Sequence, residues 1–250
     1  MNTPYSLGLV SISFRKHSPE EIIKAVKAAG LTCIEWGSDV HAPCHDVERL
    51  AHIAALQKEY GITCSSYGTY FRLGHTPMEE LKEYVRAAKR LGTRILRLWG
   101  GDKSGEAMTR EEADALLSAC RQAAALAEEE DVILCLECHM RSVTERPEDT
   151  LALLEAVSSP HFRVYWQPFQ WLDAAGSLAV ARAIAPYVEH VHVFNWVGNA
   201  KLPLAEAVED WRAYLSVLPP PRALLLEFMP DDRLETLPVE AEALRTIIGG

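Results

Sequence analysis

The sequence holds no apolar run that approaches the roughly 20 residues of a membrane-spanning helix. No membrane partner is therefore expected. No G-x-G-x-x-G follows its first apolar segment, which counts against a dinucleotide-binding sheet. Basic residues are in short supply. The 25 Lys and Arg face 35 Asp and Glu, a formal net charge of -10. A protein that clamps a phosphate backbone needs a basic surface, so no nucleic-acid partner is expected either. The stretch from Met1 to Arg15 lacks a basic segment followed by an adequate apolar one, so the expected location is the cytoplasm. Nothing resembles a linker or a disordered tract, and the 48% hydrophobic residues run the whole length. One domain over residues 1–250 is expected, the usual size of an α/β barrel.

Cysteine is present but modest: Cys33, Cys44, Cys64, Cys120, Cys135 and Cys138. In a cytoplasmic chain these are expected to be reduced core residues. Cys135 and Cys138 form a C-x-x-C, yet the segment Val132 to Cys138 reads as a strand. A redox pair of this kind wants a helix N-terminus, so the spacing is read as coincidence.

What the sequence does have is a recurring unit: apolar strand, polar loop, amphipathic helix, Gly, next strand. Ser18-Pro-Glu-Glu21, Thr76-Pro-Met-Glu79 and Thr109-Arg-Glu-Glu112 read as capping boxes that open helices. Gly30, Gly61 and Gly92 sit where left-handed C-caps belong. Strands are predicted near residues 7–12, 32–36, 62–66, 94–98, 132–137, 163–167, 188–193 and 223–227, with a last helix near 239–248. Pro219-Pro220-Pro221 reads as a stiff loop ahead of the eighth strand. Eight such units at even spacing predict a closed (β/α)8 TIM barrel.

The active site of such a barrel lies at the C-terminal ends of its strands. Glu137, Gln167, His192 and Glu227 each end a different late strand, in phase with inward-facing positions. Two carboxylates buried together need a cation or a proton between them. With an imidazole and an amide oxygen they suit one divalent ion such as Mn2+, Mg2+, Co2+ or Zn2+. Any one of these residues alone would pass for a solvated loop residue, and His190 and His192 for stacked strand histidines. Convergence on one mouth is what singles them out. Trp36, Tyr67, Tyr70, Trp99, Trp166, Trp171 and Trp196 fall at or just past strand ends, as a sugar-stacking pocket requires. Arg97, Lys103, His41 and Lys201 are candidates to hold a phosphate or hydroxyl, though each alone reads as a solvated charge.

The stretch from Glu137 to Glu227 resembles the sugar phosphate isomerase/epimerase family, the xylose isomerase-like barrels. Leu134-Cys-Leu-Glu137-Cys-His139 is similar to that family's strand-five motif, and Pro147 to Val157 to the helix after it. Gln167-Pro-Phe-Gln170 stands where the family has Asp-Pro-x-His, and His190-Val-His192-Val-Phe-Asn195 where it has His-Val-His-Val-x-Asp. The resemblance implies a metal held by Glu137, Gln167, His192 and Glu227, with Glu137 and Glu227 as the acid/base pair that moves a proton beside a carbonyl. It also implies substrate contacts from His139, Gln170 and Asn195, a small sugar or polyol as substrate, and pairing into a homodimer, while Trp36 and Trp99 are expected to add substrate contacts from the aromatic strand ends.

Three positions depart from the pattern, because Gln167, Gln170 and Asn195 are amides. A neutral amide oxygen is the weaker ligand, so metal binding weaker than in relatives is expected. Loss of the extra charged ligands argues against endonuclease IV-type DNA repair. The expected activity is isomerase or epimerase. An inosose-type dehydratase on the same scaffold and a non-catalytic sugar-binding barrel are the alternatives.

Overall fold

A computed structural model describes residues 5–220 and 222–249. Eight parallel strands alternate with helices: β1 (Ser6–Val10), β2 (Cys33–Gly37), β3 (Thr63–Arg72), β4 (Ile95–Trp99), β5 (Ile133–Glu137), β6 (Phe162–Trp166), β7 (Val188–Val193) and β8 (Ala223–Leu226). They close in the order β1-β8-β7-β6-β5-β4-β3-β2, so the expected TIM barrel is what forms. The helices are α1 (Pro19–Ala28), α2 (Val47–Tyr60), α3 (Met78–Leu91), α4 (Arg110–Glu129), α5 (Pro147–Val157), α6 (Ala174–Ile184), α7 (Val208–Val217) and α8 (Leu237–Ile248). None of the described helices is long and apolar enough to cross a membrane.

Local chemistry explains the element ends. Ser18 with Glu21 and Thr109 with Glu112 form reciprocal capping boxes at α1 and α4. The third expected box does not form. The Thr76 hydroxyl instead accepts from the Arg72 amide at 3.0 Å, and α3 starts after Pro77. Gly61 and Gly92 end α2 and α3 in the left-handed conformation. Gly30 is also left-handed, but one residue beyond the Ala29 cap. The expected Pro219–Pro221 loop includes Pro221, which lies outside the described residues.

Alternation divides the core in two. Leu134 and Leu136 of β5 face outward and pack in the large apolar layer under the helices. The barrel interior is small and holds Val10, Cys33, Ile95, Cys135, Tyr165, Ala223 and Leu225. Cys135 thus faces in and Cys138 out, and all six cysteines are free. Burial pushes the Cys33 thiol up to about 12 and the Cys135 thiol well above its ordinary range, as befits inert core residues. Two residues beyond Cys33, Ile95, Cys135 and Leu225, toward the C-terminal mouth, stand Glu35, Arg97, Glu137 and Glu227. The same strand period that fills the barrel therefore aims its charged residues at one end.

Candidate active site

A cavity of about 270 Å³ opens at the C-terminal ends of the strands, with Glu137, Gln167 and Glu227 in its wall. His192 lies beneath, fully buried on β7. Its Nδ1 is 3.1 Å from Gln167 Oε1, 3.4 Å from Glu227 Oε2 and 3.7 Å from Glu137 Oε1. The structure thus brings together the four residues expected to share a site.

Two further charges complete the arrangement. Arg97, on β4 and 2% exposed, donates Nε to Glu35 Oε1 at 2.7 Å and Nη1 to Glu137 Oε2. Glu35, on β2 and wholly buried, also accepts from the Ser66 hydroxyl at 2.9 Å, and its Oε2 faces His192 Nε2 at 3.4 Å. Trp99 donates its indole N–H to Glu137 Oε2 at 2.5 Å. The network runs from Glu35 through Arg97 to Glu137, then through His192 back to Glu35. Burial alone would raise the Glu35 and Glu137 carboxyls, but Arg97 and His192 outweigh it and hold both below the usual range. Burial works against an imidazolium, yet Glu227 and Glu35 raise His192 to about 10. Gly68 makes the network sterically feasible. A Cβ there would meet Arg97 Nη2 and Glu35 Oε1, each at 2.7 Å.

The donor set fits a divalent cation. One ligand atom each from Glu137, His192 and Glu227 all lie within 4.8 Å of one another, and the Gln167 amide oxygen borders the same nitrogen. Around that point stand three carboxylates, of Glu35, Glu137 and Glu227, and one guanidinium, which pairs with the first two. With His192 neutral, as a ligand must be, two negative charges remain for a dication to balance.

The other expected contacts divide. His139 lines the cavity and stacks on Trp99, ring centroids 5.2 Å apart, while the Arg72 guanidinium carbon lies 3.9 Å from the centroid of that indole. Gln170, Tyr70, Trp171 and Trp196 also line the cavity. Trp36 does not. Glu35 faces the barrel interior, so alternation turns Trp36 into the helix layer, where it donates to Gln57 of α2 at 2.7 Å. Asn195 also stands aside, donating to the Pro203 carbonyl at 3.0 Å and bordering a neighbouring cleft. Tyr67 is buried with its hydroxyl on the Ala42 carbonyl, and Trp166 packs against Trp211 and Tyr214. His41 is buried beside Ser11, and Lys103 pairs with Glu112 at the surface.

Arg97 corrects the sequence reading most. It is no solvated loop charge but the buried counter-charge of two glutamates. Its position two residues beyond the inward-facing Ile95 was the available signal, and Glu35 bears the same relation to Cys33. His190 separates from His192: its Nδ1 and Nε2 meet the Glu189 and Ser65 carbonyls, at 2.9 and 3.3 Å, and it plays no part at the mouth.

The family model described as xylose isomerase-like TIM barrel matches residues 23–236. No curated protein matches the chain by sequence. Among solved structures, the probable 3-DHS dehydratase AsbF, involved in petrobactin synthesis, from Bacillus anthracis superposes with a TM-score of 0.78 at 17% identity. The match covers 96% of this chain and 98% of that one. D-psicose 3-epimerase with D-tagatose from Clostridium cellulolyticum H10 gives 0.68 at 14% identity, over 96% of each chain. A xylose isomerase-like TIM barrel protein from Mycobacterium smegmatis in complex with magnesium gives 0.73 at 14%, over 100% of this chain and 99% of that one.

Proposed function

This chain belongs to the xylose isomerase-like TIM barrel family, and on that premise we propose that it is a metal-dependent isomerase or epimerase that moves a proton beside the carbonyl of a small sugar or sugar phosphate. The observation that carries the reading is the meeting of Glu137, at the end of β5, and Glu227, just past β8, around His192 Nδ1. A divalent cation held by Glu137, Gln167, His192 and Glu227 would polarise the substrate carbonyl and offset the charge that develops on its oxygen.

The two carboxylates are not equivalent. Glu137 Oε2 already accepts from Arg97 and Trp99. Glu227 has no comparable donor among the described residues, its nearest being His192 Nδ1 at 3.4 Å. Glu227 is therefore the freer base for the proton on the carbon beside the carbonyl. Return of that proton to a neighbouring carbon gives isomerisation, whereas delivery of a different proton to the same carbon from the opposite face, by Glu137, gives epimerisation and leaves the first proton on Glu227. Trp171, exposed in the cavity wall, offers an apolar face against which a sugar ring can lie.

The second reading is a dehydratase, favoured by the same asymmetry. A single free base suits proton removal followed by loss of a hydroxyl. Product analysis separates the two. The Mn2+-treated protein is incubated with a panel of ketoses, ketose phosphates and inososes, and the products are identified by NMR. An isomer or epimer of unchanged composition supports the first reading. A product lighter by one water replaces it with the second. No turnover across the panel, with ligand binding retained, would leave a sugar-binding barrel.

A further inference from the structure

Beside the mouth cavity lies a second cleft, of about 290 Å³. The two share Ile12 and Phe228, so they meet across one short stretch of wall. Arg15, Lys16 and Lys201 line the second cleft, with Asp232 as its one acid. That makes it locally basic in a chain of net charge -10.

The cations are tied to the wall of the mouth. Arg15 donates to the Tyr70 hydroxyl at 2.5 Å, and Tyr70 lines the mouth cavity. The Lys201 ammonium stands 5.7 Å from the Trp196 ring and 5.2 Å from that of Phe228, both also in that wall. The wall itself is strained. Phe228 has φ 58, a left-handed conformation rare for a bulky side chain, and its amide is held by the Ser13 hydroxyl at 3.0 Å. Ser13 faces the second cleft. The fold thus spends conformational strain on the residue that separates the two compartments.

Arg15 pairs with Asp39 and Lys201 with Asp232. Both pairs include well-exposed groups, and such pairs contribute little and exchange readily for an incoming anion. Lys16 has no acid partner among the described residues.

We propose that this cleft is an anion subsite, which takes the negatively charged end of an extended substrate, a phosphate monoester or a carboxylate, while the carbonyl end lies at Glu137 and Glu227. The carbonyl half of this statement rests on the function proposed above. Anion binding in the cleft does not.

The test uses the whole protein and four probes: inorganic phosphate, D-fructose, D-fructose 6-phosphate and 5-keto-D-gluconate. Affinities are read from tryptophan fluorescence, for which Trp196 under Lys201 is a local reporter, and from calorimetry. Lys16→Ala, Lys201→Met and their combination are compared with the parent, with circular dichroism to verify folding. Inorganic phosphate is expected to bind in a salt-sensitive manner. One anionic sugar is expected to bind about tenfold tighter than fructose, and that ratio to fall about fivefold or more in the combined variant. An advantage for fructose 6-phosphate assigns a phosphate end, and one for the keto acid a carboxylate end. Phosphate binding that is lost in the variants, with no sugar bound at all, would uphold the cleft and sink the carbonyl reading. Equal affinity for the neutral and both anionic sugars, or an anion advantage that survives in the combined variant, overturns the subsite and leaves the carbonyl reading untouched.

Discussion

Replacing Arg97 with Met removes one charge and strands two. Glu35 and Glu137 both direct an oxygen at this guanidinium, and neither is more than 5% exposed. Met keeps much of the apolar stem, so the loss is chiefly electrostatic. Removing one partner of a buried ion pair costs about 3–5 kcal/mol, because the other charge remains buried without compensation. Here the surviving Ser66, Trp99 and His192 contacts relieve part of it, so the lower half of that range is expected. Glu35→Gln should cost less, about 1–2 kcal/mol, since Arg97 keeps Glu137. The double variant should be more stable than Arg97→Met alone, because the stranded Glu35 charge is then absent. Equilibrium urea denaturation in EDTA, which excludes any contribution from bound metal, gives the three values. A cost below about 1 kcal/mol for Arg97→Met, or a double variant less stable than it, would refute the account of Arg97 as an internal counter-charge.

Three other expectations bear on neighbouring parts of the fold and site. Gly68→Ala should disturb the same pair from the backbone side, because its Cβ would press on both Arg97 and Glu35. A loss of about 1–3 kcal/mol is expected by urea denaturation, and a neutral result would mean that the pair has room to move. His41 should make the protein acid-sensitive. Burial lowers its imidazole to about 4 from the ordinary 6.5, and the Ser11 hydroxyl and His17 carbonyl suit the neutral ring. The unfolded chain then takes up a proton below about 6.5 that the folded chain refuses until about 4. Stability is full above that window and falls through it, by about 2 kcal/mol between pH 7 and pH 5. Thermal melts of His41→Gln should lack that increment. Gln167→Asp should tighten Mn2+ binding at least about tenfold by calorimetry, since a carboxylate replaces a neutral oxygen. Unchanged affinity would remove Gln167 from the ligand set.

The barrel was legible because its signals repeat. Caps at Ser18 and Thr109, left-handed glycines at Gly61 and Gly92, and eight apolar strands all point to one architecture. Glu137, Gln167, His192 and Glu227 were legible as a group because strand period and strand end coincide at each. Less legible was whatever depends on a partner distant in sequence. Arg97 and Glu35 are 62 residues apart, and nothing local reveals that each neutralises the other. Trp36 illustrates the opposite error: its place at a strand end suggested the mouth, whereas its neighbour Glu35 had already taken the inward side. β3 runs on to Arg72, beyond the predicted 62–66, and Gly68 within it leaves room for the Arg97–Glu35 pair.

The central claim is that Glu227 takes the proton beside a substrate carbonyl at this mouth. The direct test is proton NMR in D2O of the Mn2+-treated protein with a ketose, ketose phosphate or keto acid that binds it, compared with Glu227→Gln and Glu137→Gln. The account predicts deuterium entering at the carbon beside the carbonyl in the parent, at a rate at least about a hundredfold lower in Glu227→Gln. The Glu137→Gln variant should retain exchange but lose any epimer formed. Exchange that persists in Glu227→Gln, or product that forms without solvent deuterium at that carbon in every ligand that binds, would contradict it.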